Sequence, residues 1–239
     1  MRFIILCSLF YSQLVFAGAD YAREKKWADE ITPGIVVGDV QYLEAKGHKF
    51  LALYTEAANA RVGLVIVHGM GVHPEHGLIS VLRGNLADQG YTTLSIQMPI
   101  LAVEAREKAY LPLYPEATER IKSAVRYLQG KGYQKVAIVS HSLGSGMSRL
   151  YVEKHQDQLA GWVSLGIGGK TYTGITIPVL DVYGENDHPS AVANAKKRAD
   201  SLKGNAGGKQ VKVPNADHFY NHHEAVVVKA VKDFLDTLK

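Results

Sequence analysis

Three side chains, far apart in the sequence but in a suggestive order, could do chemistry together: Ser142, Asp187 and His218. A serine hydroxyl is a poor nucleophile until a base takes its proton, and that base must be held in one tautomer by an acid. Ser142 lies in Ser140-His141-Ser142-Leu143-Gly144, which an apolar run, 136–139, precedes. A helical pattern follows at once, with Leu143, Met147, Leu150 and Tyr151 at i, i+4, i+7 and i+8. Strand, sharp turn and helix together describe a nucleophile elbow, which lifts the serine Oγ clear of a sheet and aims the next backbone N–H at the same space. Small residues must flank such a serine. Gly144 and Gly146 do so after it, and Ser140 stands where the G-x-S-x-G pattern has glycine.

Asp187 follows a strand-like run, 177–183, in the turn Gly184-Glu185-Asn186-Asp187-His188, and His218 follows the last strand-like run, 210–213. Glu185 and Asp181 compete with Asp187 for the acid, and His222 and His223 compete with His218 for the base. Asp181 falls inside an apolar strand and therefore needs a buried partner, which the sequence does not identify. A fourth strand end carries His68-Gly69-Met70-Gly71, whose amides can point inward. The N–H groups of Met70 and Leu143 are the candidate oxyanion donors.

The elements that must position these groups alternate. A hairpin is expected from 36–45 and 48–55 about Lys46-Gly47. Residues 63–67 are wholly apolar, as in a strand buried on both faces of a parallel sheet. Helices are expected at about 77–89, from Pro115 onward, at 190–203 and near the C-terminus, where Asn221 and Glu224 resemble a capping box. Such alternation implies a mostly parallel sheet covered on both faces, preceded by an antiparallel hairpin. Residues 20–33 read as a polar lead-in. The long connection 101–114 reads as a wall of the site, with Tyr110 and Tyr114 as candidate substrate-binding residues. Only about 166–176 separates the strand after the elbow helix from the strand leading to Asp187. That is near the minimum for a parallel crossover and implies a flexible glycine-rich lip containing Tyr172 over an open cleft.

The chain of 239 residues, with 21% charged and 46% hydrophobic residues, fits one domain of the larger α/β type. The formal charge of +4 is scattered. The one cluster, Lys196-Lys197-Arg198, reads as a solvated helix face. No basic stripe with interleaved aromatics appears, so a nucleic-acid partner is not expected. At the N-terminus Arg2, an apolar segment and Ala17-Gly18-Ala19 form a signal-peptide pattern, too short and interrupted for a transmembrane anchor. Cleavage after Ala19 would leave a domain of residues 20–239, exported to a bacterial periplasm and without the sole cysteine, Cys7. His68, His73, His76 and His188 match no zinc spacing. No metal and no cofactor is expected, and oligomeric state is open.

The order Ser142, Asp187, His218, each after its own strand, resembles the α/β-hydrolase fold, and the resemblance covers nearly all of the sequence after the expected signal peptide. More narrowly, His68-Gly69-Met70-Gly71-Val72-His73-Pro74, residues 93–99 (TLSIQMP), Ser140–Gly144 and residues 180–184 (LDVYG) resemble a secreted bacterial branch of that fold. The resemblance implies hydrolysis of a carboxylic ester or similar acyl bond, on a small-molecule acyl substrate. Larger members of the fold often insert a cap where this chain has only about 166–176, so no cap domain and a preference for short, soluble acyl esters are expected. The alternative, with Ser140 as its motive, is a non-catalytic binding or envelope-assembly protein that keeps the fold.

Overall fold

The computed structural model describes residues 18–238. All but the last two residues of the expected signal segment, 1–19, therefore lie outside the described residues. The described chain forms one eight-stranded sheet. It comprises β1 (Asp39–Ala45), β2 (His48–Thr55), β3 (Val62–Val67), β4 (Thr92–Ile96), β5 (Lys135–His141), β6 (Gly161–Leu165), β7 (Val179–Asn186) and β8 (Lys209–Asp217), in the order β1-β2-β4-β3-β5-β6-β7-β8. β1 and β2 form the expected antiparallel hairpin, and β2 also runs antiparallel to β4. From β4 to β8 the pairing is parallel.

The apolar run of β3 shows why the sheet needs cover on both sides. Val62, Leu64 and Ile66 pack into one core with helices α2 (Leu78–Asp88) and α6 (Glu224–Asp236). Val65 and Val67 pack into a second core with α3 (Tyr114–Gly130) and α4 (Leu143–Lys154). Successive side chains of a strand point to opposite faces, so a strand covered twice must be apolar throughout. Each such side chain taken out of water stabilises the fold by about 1.5–3 kcal/mol. Helix α3 buries the stripe Ala117, Ile121, Ala124, Val125 and Leu128. Helix α5 (Pro189–Leu202) packs beside β7 and β8.

Four local expectations are corrected. Residues 20–33 are no lead-in: Asp20 caps a helix, α1 (Tyr21–Ile31), by accepting from the Arg23 amide. Its buried positions are Glu24 and Ala28, so it has no apolar stripe to betray it. It docks through charge instead, with Arg120 bonded to both Glu24 and Glu116. Arg198 is not on a solvated face but fully buried, donating to Asp181 at 2.8 Å. Tyr172 is no part of a lip, because it turns inward and donates to Asp181 at 2.8 Å. Asn221 does not cap α6. Its side chain bonds Asp217, and His223 is the residue at the cap, with no side-chain bond. Between β6 and β7 no cap intervenes.

Candidate active site

β5 ends at His141, and the next residue, Ser142, has φ +56° and ψ −128°, a conformation disfavoured for any residue with a Cβ. Its N–H is held by Leu165 O at 2.8 Å, and α4 begins at Leu143. The tightness of this turn is measured by its glycines. A Cβ on Gly144 would stand 2.2 Å from His68 O, so strand and helix meet with no space for a methyl group. Ser140 fits because its side chain faces sideways, with its Oγ donating to Val163 O and accepting from Trp162 Nε1. The departure from glycine thus serves the sheet and leaves the turn intact.

The other two residues arrive from neighbouring strand ends. His218 Nε2 lies 2.7 Å from Ser142 Oγ, and His218 Nδ1 lies 2.5 Å from Asp187 Oδ1. Asp187 also accepts from the amides of Gly184 and His188. Burial works against its charge, but the His218 hydrogen bond and charge, with those amides, outweigh it and hold the carboxyl below the ordinary aspartate range. His218 is seated by its own loop: Asp217 accepts from the amides of Phe219 and Asn221. His141 Nε2 donates to the His218 carbonyl. Burial, and then the charge on His218, pushes His141 down to about 4, so it stays a neutral donor. A Cβ on Gly166 would press on the His218 ring at 3.1 Å. The competitors are elsewhere. Glu185 is exposed and bonded to Lys212 and the Asn215 amide, His222 is exposed, and His223 Nδ1 turns to Asn221 O.

The turn after β3 faces the elbow, for a Cβ on Gly69 would lie 3.1 Å from Ser142 Cβ. His68 is buried beneath it. Met98 N–H donates to His68 Nε2, so Nδ1 carries the proton and donates to Gly69 O at 2.8 Å. Burial pushes this imidazole down to about 3, which keeps that tautomer neutral. Because a trans peptide sets C=O and N–H on opposite sides, anchoring the Gly69 carbonyl orients the Met70 N–H. Among the described residues, neither the Met70 nor the Leu143 amide has an acceptor.

Two cavities open beside Ser142 and His218. The smaller, about 210 Å³, is lined by Val72, Leu78, Ile79 and Phe219. The larger, about 500 Å³, is lined by Tyr114, Gly146, Arg149 and Ser190. Met70 and His188 border both. Tyr114 is therefore at the site, on the end of the expected wall, where residues Glu107–Leu113 form a 3-10 helix. Tyr110 is not: it is buried, and its hydroxyl accepts from the Leu101 amide. Sequence reasoning missed Arg149, although it lies on the elbow helix two turns past Ser142, and Phe219, which adjoins His218. Among the described residues, no group of three or more His, Cys, Asp or Glu side chains could hold a metal ion, and no helix is long and apolar enough to cross a membrane.

An elbow after the fifth strand, with acid and histidine after the seventh and eighth, decides the architecture. The chain has the α/β-hydrolase fold. Solved structures of this fold superpose over most of both chains. Est1E from Butyrivibrio proteoclasticus, solved with ferulic acid bound, is 20% identical with TM-score 0.67, covering 83% of this chain and 98% of that one. A dienelactone hydrolase from Anabaena variabilis is 16% identical with TM-score 0.69, covering 83% and 96%. An α/β serine hydrolase without lid from Xanthomonas campestris is 12% identical with TM-score 0.66, covering 85% and 95%. A family model described as a protein of unknown function (DUF3530) matches residues 23–113, from α1 through the turn after β3 to the 3-10 helix. No curated protein sequence matches.

Proposed function

We propose that this protein is a serine hydrolase that cleaves carboxylic esters of small acyl substrates. The observation that carries the reading is the relay of contacts, 2.7 Å from Ser142 Oγ to His218 Nε2 and 2.5 Å from His218 Nδ1 to Asp187. In this reading His218 takes the Ser142 proton as Oγ attacks the ester carbonyl. The amides of Met70 and Leu143 receive the charge that develops on the carbonyl oxygen. Collapse expels the alcohol, which leaves with the proton held on His218 Nε2. A water, deprotonated by the same nitrogen, then attacks the acyl-serine, and the acid is released as Ser142 Oγ leaves and takes that proton back from Nε2. Asp187 keeps Nδ1–H engaged throughout and stabilises the imidazolium without taking its proton.

The hydrolase names of the structural neighbours support the reaction class. With no cap between β6 and β7 among the described residues, short, soluble esters suit the site better than long acyl chains, which need a moving lid to cover them. We also read the protein as exported, from Arg2, the apolar segment and Ala17-Gly18-Ala19. An N-terminus at Gly18 or Asp20 in the native host would bear this out, and an intact Met1 in a soluble pool would refute it. The decisive experiment on function is labelling of the purified protein with a fluorophosphonate. Labelling that disappears in Ser142→Ala is expected. Folded wild-type protein that takes no label would overturn the proposal.

A further inference from the structure

Helix α1 stands apart from the strand ends that carry Ser142, Asp187 and His218, yet its Arg23 reaches the turn that bears Met70. Arg23 Nη2 donates to Gly71 O at 3.1 Å, and Nη1 donates to Leu101 O at 2.5 Å. One guanidinium thus ties the turn after β3 to the start of the wall after β4. Gly71 has φ +67°, a left-handed conformation that costs a glycine little to adopt or to leave. The same guanidinium lies over the Trp27 ring, 4.4 Å from its centroid. Trp27 meets His73 edge-on at 5.3 Å, and His73 meets His76, which lines the smaller cavity, at 5.5 Å. One face of α1 therefore backs the turn from Gly71 to His76. The helix is firmly seated: the Asp20 amide donates to Ile100 O at 2.7 Å, and buried Glu24 bonds Arg120.

Resting on the serine hydrolase reading above, we propose that Arg23 is a positioning residue for the oxyanion donor at Met70. His68 holds the peptide group before Met70, and Arg23 holds the carbonyl of the residue after it. Preplaced donors stabilise developing charge because nothing has to reorganise as the reaction occurs. With the Gly71 carbonyl released, the amide of Met70 keeps only one of its two restraints, and a shift of about 1 Å at such a group can cost about 100-fold in rate. The role asks for arginine, since a planar fork can reach carbonyls on two separate segments, whereas lysine presents a single point charge.

The test compares wild type, Arg23→Met and Arg23→Lys on 4-nitrophenyl acetate, with phenylboronic acid as a tetrahedral mimic and hydrogen exchange of the 69–76 segment. For Arg23→Met, kcat is expected to fall about 10- to 100-fold with KM within about threefold. Boronate affinity should fall by a similar factor and exchange of 69–76 should quicken, with Arg23→Lys intermediate. A variant that loses thermal stability but keeps wild-type kcat, boronate affinity and exchange would overturn the inference. If Arg23→Met does not fold, Arg23→Lys decides by the same three readings. Wild-type protein inert to both ester and boronate would count against the hydrolase reading alone. Exchange would still judge Arg23: unchanged exchange at 69–76 overturns its positioning role.

Discussion

Strand β7 delivers two aspartates with opposite fates. Asp181, within the strand, and Asp187, just past its end, both have side chains fully removed from water. Asp181 accepts from Arg198 Nε, Tyr172 Oη and Gln210 Nε2, so a permanent cation and two neutral donors satisfy both its oxygens. Asp187 accepts from two backbone amides and from His218, whose other nitrogen faces Ser142. The carboxylate of Asp181 braces the fold, because its hydrogen-bond partners lead to no nucleophile. The carboxylate of Asp187 lies one hydrogen bond from a histidine that in turn contacts the Ser142 hydroxyl. Burial is alike in the two places, and what lies beyond the partner separates them: the Gly169 carbonyl beyond Arg198, the Ser142 hydroxyl beyond His218.

The contrast can be broken most sharply at Asp187. In Asp187→Asn, kcat for ester hydrolysis is expected to fall by about 10⁴-fold, with the fold retained by circular dichroism. A loss no larger than that of Glu185→Gln would move the acid role away from Asp187. The mirror experiment is Asp181→Asn. Removing the charge opposite buried Arg198 is expected to cost about 3–5 kcal/mol of stability, seen as a thermal midpoint lower by roughly 10 °C. The kcat of the protein that remains folded at low temperature should stay near wild type. A selective loss of kcat at unchanged stability would erase the distinction between the two sites.

A third buried carboxylate sharpens the comparison with a smaller effect. Glu24 shares Arg120 with Glu116, and burial, the dominant influence, pushes it up to about 7 against the attraction of Arg120. An unfolded glutamate releases its proton near about 4.3. Between that pH and about 7 the folded protein holds a proton that the unfolded chain has lost, so Glu24's contribution to stability falls as pH rises through this window. Thermal scans of Glu24→Gln from pH 5 to 7 should therefore show a shallower decline than wild type. Parallel curves would mean that Glu24 is already ionised in the folded protein, as a carboxylate fully matched by arginine would be.

The amino-acid sequence by itself determined the architecture, because that depends on patterns local to each segment. An apolar run such as 63–67, short and bounded by turn residues, reads as a strand covered twice, and Gly144 marks a close approach where a Cβ has no place. Strand ends also announce the residues that meet at the site, since Ser142, Asp187 and His218 each follow a strand directly. What the tertiary structure alone decided is pairing across the chain. Arg198 lies beside two lysines in the sequence and looks solvated, until folding sets it against Asp181 17 positions away. Glu24 lies 96 positions from Arg120, and without that partner the segment that became α1 has neither apolar stripe nor visible purpose. Tyr110 and Tyr114 sit in one loop, yet one hydroxyl turns inward to Leu101 and the other residue lines the cleft. The physical reason is common to all three. Hydrophobic burial follows a period along the chain, whereas a buried charge or hydroxyl is stable only where a complementary group arrives from elsewhere.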